Sequence, residues 1–71
     1  MLIKRSMTIE GHRTSIALEP EFWAALAAIA ARDGMTMTDL IARIDALRAG
    51  DAPDRPLASA ARVYALLDKG R

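Results

Sequence analysis

The sequence predicts a mostly helical chain that opens with a short β ribbon and closes with a third, C-terminal helix. Three observations lead there. HRTSIAL alternates apolar and polar side chains as a strand does. From Pro20 onward the apolar residues recur every three to four positions instead. Two further stripes of that helical period follow, one after Gly34 and one after the proline-bearing stretch DAPDRP.

The 71 residues make a single domain, 1–71, and a small one. Below about 70–80 residues a single core rarely supplies more than ~3–5 kcal/mol, so such chains add disulfides, a metal or a second subunit. The absence of cysteine excludes disulfides and thiolate zinc sites. His12 is the only imidazole, which leaves no metal ligand set. Association with a second copy is the remaining route. The hydrophobic fraction of 52% is rich in alanine, which suits helices that approach one another closely.

Residues 1–11 read as an N-terminal arm or an extra strand. In LIKRSMTIE, Met7 and Ile9 alternate with Ser6, Thr8 and Glu10, and Gly11 interrupts the pattern as a turn, bulge or bend would. Residues 12–18 form the better strand, with Thr14, Ile16 and Leu18 on one side and Arg13, Ser15 and Ala17 on the other. The first helix, 20–33, starts at Pro20, whose missing N–H costs nothing there, between Glu19 and Glu21 at the positive end of the helix dipole. Phe22, Trp23, Leu26, Ile29 and Ala30 form its apolar face, and Gly34 stands where a left-handed C-cap belongs. The two aromatic residues read as core anchors, since they lie on that face.

The second helix, 37–49, is announced by MTMTDL. Thr36 is the N-cap, Asp39 completes a capping-box-like arrangement, and Met35 with Leu40 form a hydrophobic staple. Met37, Leu40, Ile41, Ile44 and Leu47 are its stripe, and Gly50 its expected end. The third helix, 57–69, carries Leu57, Ala60, Ala61, Tyr64 and Leu67 on one face, widened by Val63 and Leu66.

Several function classes fall away. Serines and threonines are present, but His12 in a polar loop is the only base of its kind, so no nucleophile–base pair is legible and no catalytic residue is assigned. There is no glycine-rich phosphate loop, and no cofactor or metal is expected. No apolar run approaches the ~18 residues of a membrane span, and MLIKRSM lacks a signal-peptide core, so a cytoplasmic location is expected. Net charge is only +1, yet residues 1–18 hold Lys4, Arg5 and Arg13 against Glu10 alone. That excess fits a nucleic-acid surface, and equally a strand guarded against edge-to-edge aggregation.

The order of basic strand, Pro-initiated helix, Gly-containing turn and Thr-capped helix, from Arg13 to about Leu47, resembles the ribbon-helix-helix family of DNA-binding proteins. The phrase GHRTSIALEPEFWAALAAIAARDGMTMTDLIARID, with the later LASAARVYALL, resembles a subgroup of small bacterial members that carry an extra C-terminal helix. The resemblance implies an intertwined homodimer, in which two chains pair their strands antiparallel and the ribbon enters the major groove of double-stranded DNA. On that footing Ile16, Leu18, Phe22, Leu26, Leu40, Ile41 and Ile44 would form the dimer core. Arg13, Ser15 and Ala17 would face the bases. Thr36, Met37 and Thr38, at the start of the second helix, would hold a phosphate, with Lys4 and Arg5 reaching others. The implied role is a small transcriptional regulator, associated with the nucleoid.

A hairpin between residues 5–9 and 12–16 would add Lys4, Ser6 and Thr8 to the outer face. Its strand-paired dimer, however, would hold four strands, about 15 Å across at ~4.8 Å spacing, against a groove about 12 Å wide. That width favours an arm. The other class of function is a protein-interaction module, antitoxin-like or an assembly dimer, which would use the apolar third helix to bind a protein or build a tetramer.

Overall fold

A computed structural model of the chain describes residues 1–68. Two strands, β1 (Ile3–Ile9) and β2 (His12–Leu18), are followed by three helices, α1 (Pro20–Arg32), α2 (Met37–Asp51) and α3 (Leu57–Leu67). The third-helix expectation extended to Lys69, which lies outside the described residues; within them the helix ends at Leu67 with Asp68 as its C-cap.

The N-terminal segment is not an arm. β1 pairs antiparallel with β2 of the same chain, from Ile9 opposite His12 to Ile3 opposite Leu18. The two residues between them, Glu10 at φ 54° and Gly11 at φ 78°, both have positive φ. That is the signature of a type I′ turn, whose twist matches that of the strands it joins. Glycine adopts this conformation freely; Glu10 does so at a cost.

Residues opposite each other in an antiparallel pair share a face. Ile3 with Leu18, Met7 with Thr14 and Ile9 with His12 therefore lie on one face, and Lys4 with Ala17, Ser6 with Ser15 and Thr8 with Arg13 on the other. The first face packs on the helices, with β1 against α2 and β2 against α3. Ile9, Ile16 and Leu18 are buried there. Arg5, opposite Ile16, occupies a position on this inner face that pattern alone would give to an apolar residue.

The helices begin and end as their caps dictate. The Glu19 carbonyl accepts from the N–H groups of Phe22 and Trp23, which opens α1 around Pro20. Gly34, at φ 66°, closes it. There the Met35 N–H donates to the Ala30 carbonyl at 2.8 Å and the Gly34 N–H to that of Ala31 at 3.3 Å, a Schellman arrangement. The Thr36 hydroxyl accepts the Asp39 N–H at 3.0 Å and starts α2. That helix runs through Gly50 to Asp51, because the stop is supplied elsewhere. The Arg48 guanidinium donates to the carbonyls of Pro53 and Arg55, 3.1 Å each, and gathers the linker against the helix end.

Leu18, Leu26, Leu40 and Ile41 are 0% exposed, and Ile16 and Ile44 2%. These residues were expected in the core of a dimer, and within the single chain they are already buried. Phe22, the remaining member of that set, is half-buried against the same core. Within the single chain β2 is paired along one edge by β1, and most of the residues expected in the dimer core are already buried.

Candidate nucleic-acid interface

Alternation and register together leave one face of the ribbon to solvent. Lys4, Ser6, Thr8, Arg13 and Ser15 are exposed on it and Ala17 is half-buried. The serines sit opposite each other at its centre, Oγ to Oγ 3.0 Å. Lys4 and Arg13 stand near opposite ends, since Arg13 is paired with Thr8 and Lys4 with Ala17. At ~3.4 Å rise per residue the face spans about 14 Å from Lys4 to Thr8. It holds two cations, hydroxyls that both donate and accept, and no large apolar side chain. Such a surface offers hydrogen bonds to base edges or phosphates and gives little reason for another apolar surface to cover it.

Of the residues expected to read bases, Arg13, Ser15 and Ala17 all lie on this face. Ser6 and Thr8 join them through the hairpin, as the alternation of LIKRSMTIE allows. Lys4 is also there. Arg5 is not: consecutive strand residues point to opposite faces, and its guanidinium stacks 4.7 Å from the centroid of the Trp23 ring. Expected beside Lys4 at the phosphates, it is occupied on the opposite face of the ribbon.

Trp23 explains why. It is 3% exposed, and its indole N–H donates to the Ile3 carbonyl at 2.8 Å. The ring therefore fixes the start of β1 from beneath while Arg5 covers it from outside. Lys4, the next residue along, is held outward as a consequence.

The start of α2 keeps its own geometry. Thr36 caps the helix and is exposed, whereas Met37 and Thr38 are half-buried, Met37 against the core. Asp39 lies in the first turn, where its charge complements the helix dipole. The cap joins Thr36 to Asp39, and no hydrogen bond among the described residues ties this turn to the ribbon. The structure thus assembles Lys4, Ser6, Thr8, Arg13, Ser15 and Ala17 into one face and leaves Thr36, Met37 and Thr38 as a separate element.

Two arginines form ion pairs behind the ribbon. Arg62 of α3 donates to Glu19 at 2.9 Å and lies 5.9 Å from the Phe22 ring centroid. This hydrogen bond holds the Glu19 carboxyl below its ordinary pKa. Arg32, at the end of α1, forms a fork to Asp68 at 3.0 Å on both oxygens and also bonds Asp33, whose carboxyl it holds below the usual range.

Among the described residues no cluster of acidic, His or Cys side chains could hold a metal, and no helix is long and apolar enough to cross a membrane. No curated protein and no solved structure matches the chain. A family model, the ribbon-helix-helix domain, matches residues 2–68, from the first strand through the third helix. The chain therefore belongs to the ribbon-helix-helix family, whose members are generally dimeric DNA-binding regulators or antitoxins rather than enzymes.

Proposed function

We propose that this protein is a homodimeric, sequence-specific DNA-binding protein, a small transcriptional regulator that inserts its own two-stranded ribbon into the major groove. The observation that carries this reading is the solvent face of the hairpin, a polar and cationic array backed by a buried apolar one. A ribbon of two strands is about 5 Å between backbones, and the major groove, about 12 Å wide, admits such a ribbon with its side chains. The groove-width difficulty belongs to a four-stranded sheet and not to a single hairpin, so the protomers must associate without extending the sheet. With ~3.4 Å per residue and a similar rise per base pair, the face matches about four base pairs.

In this reading Arg13 donates to guanine acceptors. Ser15, Ser6 and Thr8 bond whichever base edges they meet. Ala17 leaves room or touches a thymine methyl. Lys4 holds a phosphate at the opposite end, and the N–H groups of Thr36, Met37 and Thr38 hold another where the duplex reaches them. Arg5 takes no part beyond stiffening the strand.

Selection of duplexes from a random pool with the purified protein is the test. A recovered motif, bound with an affinity that falls as salt rises, is the expected outcome. Arg13→Ala should then cost about 1–3 kcal/mol and relax preference at one base position. Unchanged affinity of a folded Arg13→Ala protein for its selected site would sink the base-reading claim. Recovery of no motif, with capture of a defined protein instead, would favour the protein-interaction module, the reading supported by the exposed leucines of α3.

A further inference from the structure

Between α2 and α3 an open-sided cavity of about 180 Å³ is walled chiefly by Ile44, Leu47, Ala60, Val63, Tyr64 and Leu67. An apolar cavity of ~150 Å³ accepts benzene, so this one has room for a single side chain the size of leucine or phenylalanine. Its mouth meets water: Leu47 is 50% exposed and Leu67 61%. Three charged residues stand at the rim, Arg48, Asp51 and Arg55. Arg48 is committed to structure, to Asp45 at 2.7 Å and to the carbonyls of Pro53 and Arg55 at 3.1 Å each. The Arg55 N–H in turn donates to the Ala52 carbonyl at 2.9 Å. These bonds curl the linker back on the helix end, and so hold Asp51, the last residue of α2, and Arg55 at one mouth. The Asp51 carboxylate and the Arg55 guanidinium have no partner among the described residues.

We propose that this cavity binds a free apolar α-amino acid, its side chain between α2 and α3, its ammonium at Asp51 and its carboxylate at Arg55. The two rim charges select the class of ligand. An aliphatic or aromatic acid would answer Arg55 but bring its charge against Asp51. A cationic amphiphile would do the reverse, and a neutral ligand would answer neither. A zwitterion beside an apolar group answers both, because its opposite charges sit next to each other on one carbon. The apolar walls supply affinity and the few polar groups fix orientation, the usual division in a small-molecule site. The cavity is below the ~300 Å³ at which pockets for larger ligands begin, which restricts it to a molecule of this size. Both rim charges are exposed to water, so each contact is weak and dissociation in the high-micromolar to millimolar range is expected. The inference goes beyond the DNA-binding reading and does not depend on it, since none of these residues lies on the ribbon.

Titration of the nitrogen-15-labelled full chain with L-leucine, followed through amide chemical shifts, tests this. Saturable shifts are expected in residues 44–55 and 60–67, and none with glycine, which lacks the side chain. Isocaproate is leucine without its amine and isoamylamine is leucine without its carboxylate. Each should bind at least fivefold more weakly than leucine. Asp51→Asn should weaken leucine at least threefold but not isocaproate, and Arg55→Gln should weaken leucine but not isoamylamine. Both positions are exposed, so the variants should keep the wild-type circular dichroism, and the ligand series on the wild-type chain stands without them. No saturable shift at tens of millimolar leucine, shifts scattered away from the cavity, or an acid or amine that binds as tightly as leucine would overturn the proposal. The two readings fail separately. A chain that selects a DNA motif but gives no shift with leucine loses this site and keeps the regulator, whereas shifts with leucine and no motif do the reverse.

Discussion

The hairpin and α3 flank the same pair of helices, and they are fastened in opposite ways. The hairpin is held from inside. Ile9, Ile16 and Leu18 are buried, and Trp23 grips the Ile3 carbonyl from below. Its outer face carries no ion pair among the described residues and remains available. α3 buries only Ala60 and Ala61, which contribute little apolar area, and is clamped from outside by Arg62 on Glu19 and Arg32 on Asp68. Exposed pairs of that kind are worth about 0–1 kcal/mol each. The interior fastening leaves a polar surface turned outward, and the peripheral one leaves Leu66 and Leu67 exposed.

The comparison breaks most severely at Trp23. Trp23→Ala removes a buried indole, its hydrogen bond to Ile3 and the platform under Arg5. A loss of about 3–5 kcal/mol is expected, comparable to all the stability a core of this size supplies, so urea titration should find the variant largely unfolded. Trp23→Phe keeps the ring and loses the hydrogen bond, at about 1 kcal/mol. Its amide exchange should quicken in Ile3–Ile9 before the helices, because only β1 is tied through that bond. Uniform quickening through α2 would mean that the hairpin has no separate anchorage.

The same contrast governs what could be read from the sequence. Faces of β2 were legible because period-2 alternation requires nothing beyond one buried side: Ile16 and Leu18 went inward, Arg13 and Ser15 outward. Helix starts at Pro20 and Thr36 and the stop at Gly34 were legible because caps are local. The mate of β2 was not. Alternation allows the hairpin, but the width of a four-stranded sheet against the groove favours an arm, and the Trp23 ring that accepts Arg5 on the inner face lies eighteen residues away in the chain. Nor was the end of α2 local: Gly50 reads as a terminator, yet Arg48 reaching the carbonyls of Pro53 and Arg55 sets the turn further on. The residues of the outer face could be listed from alternation. Their gathering into a single array depended on the hairpin.

Turn chemistry sharpens the hairpin side in the other direction. Glu10 holds φ 54°, a conformation that costs most L residues roughly 1–2 kcal/mol and that asparagine tolerates better. Asn-Gly is also the favoured pair for this turn type. Glu10→Asn should therefore stabilise the protein by about 1 kcal/mol in urea titration, with the ribbon register and the helices unchanged. A destabilised variant would show that the Glu10 carboxylate does something at the turn beyond occupying it. The change also removes the single negative charge among residues 1–18, so DNA affinity at low salt should rise modestly while the selected motif stays the same.

The smallest effect belongs to the clamps on α3, and acid distinguishes them from the core. Arg62 lowers the Glu19 pKa through a direct hydrogen bond, and Arg32 lowers that of Asp33 in the same way. The Arg32 guanidinium is itself pushed up by Asp68 and then Asp33, so it stays charged throughout and the response comes from the carboxylates. Both carboxyls titrate lower in the folded chain than in the unfolded one. Their contribution is complete above the ordinary carboxylate range and is lost as pH falls through the lowered folded values. These groups are solvent-exposed, so the expected consequence is a slight fall in melting temperature at acid pH, reduced again in Arg62→Gln, whose Glu19 should titrate closer to normal. Carbon-13 chemical shifts of the Glu19 carboxyl followed against pH in the two proteins provide the direct measurement. If that titration is the same with and without Arg62, the Arg62–Glu19 pair carries no weight, and α3 is held by Arg32 on Asp68 and by the packing of Ala60, Ala61, Leu57 and Tyr64 on the core.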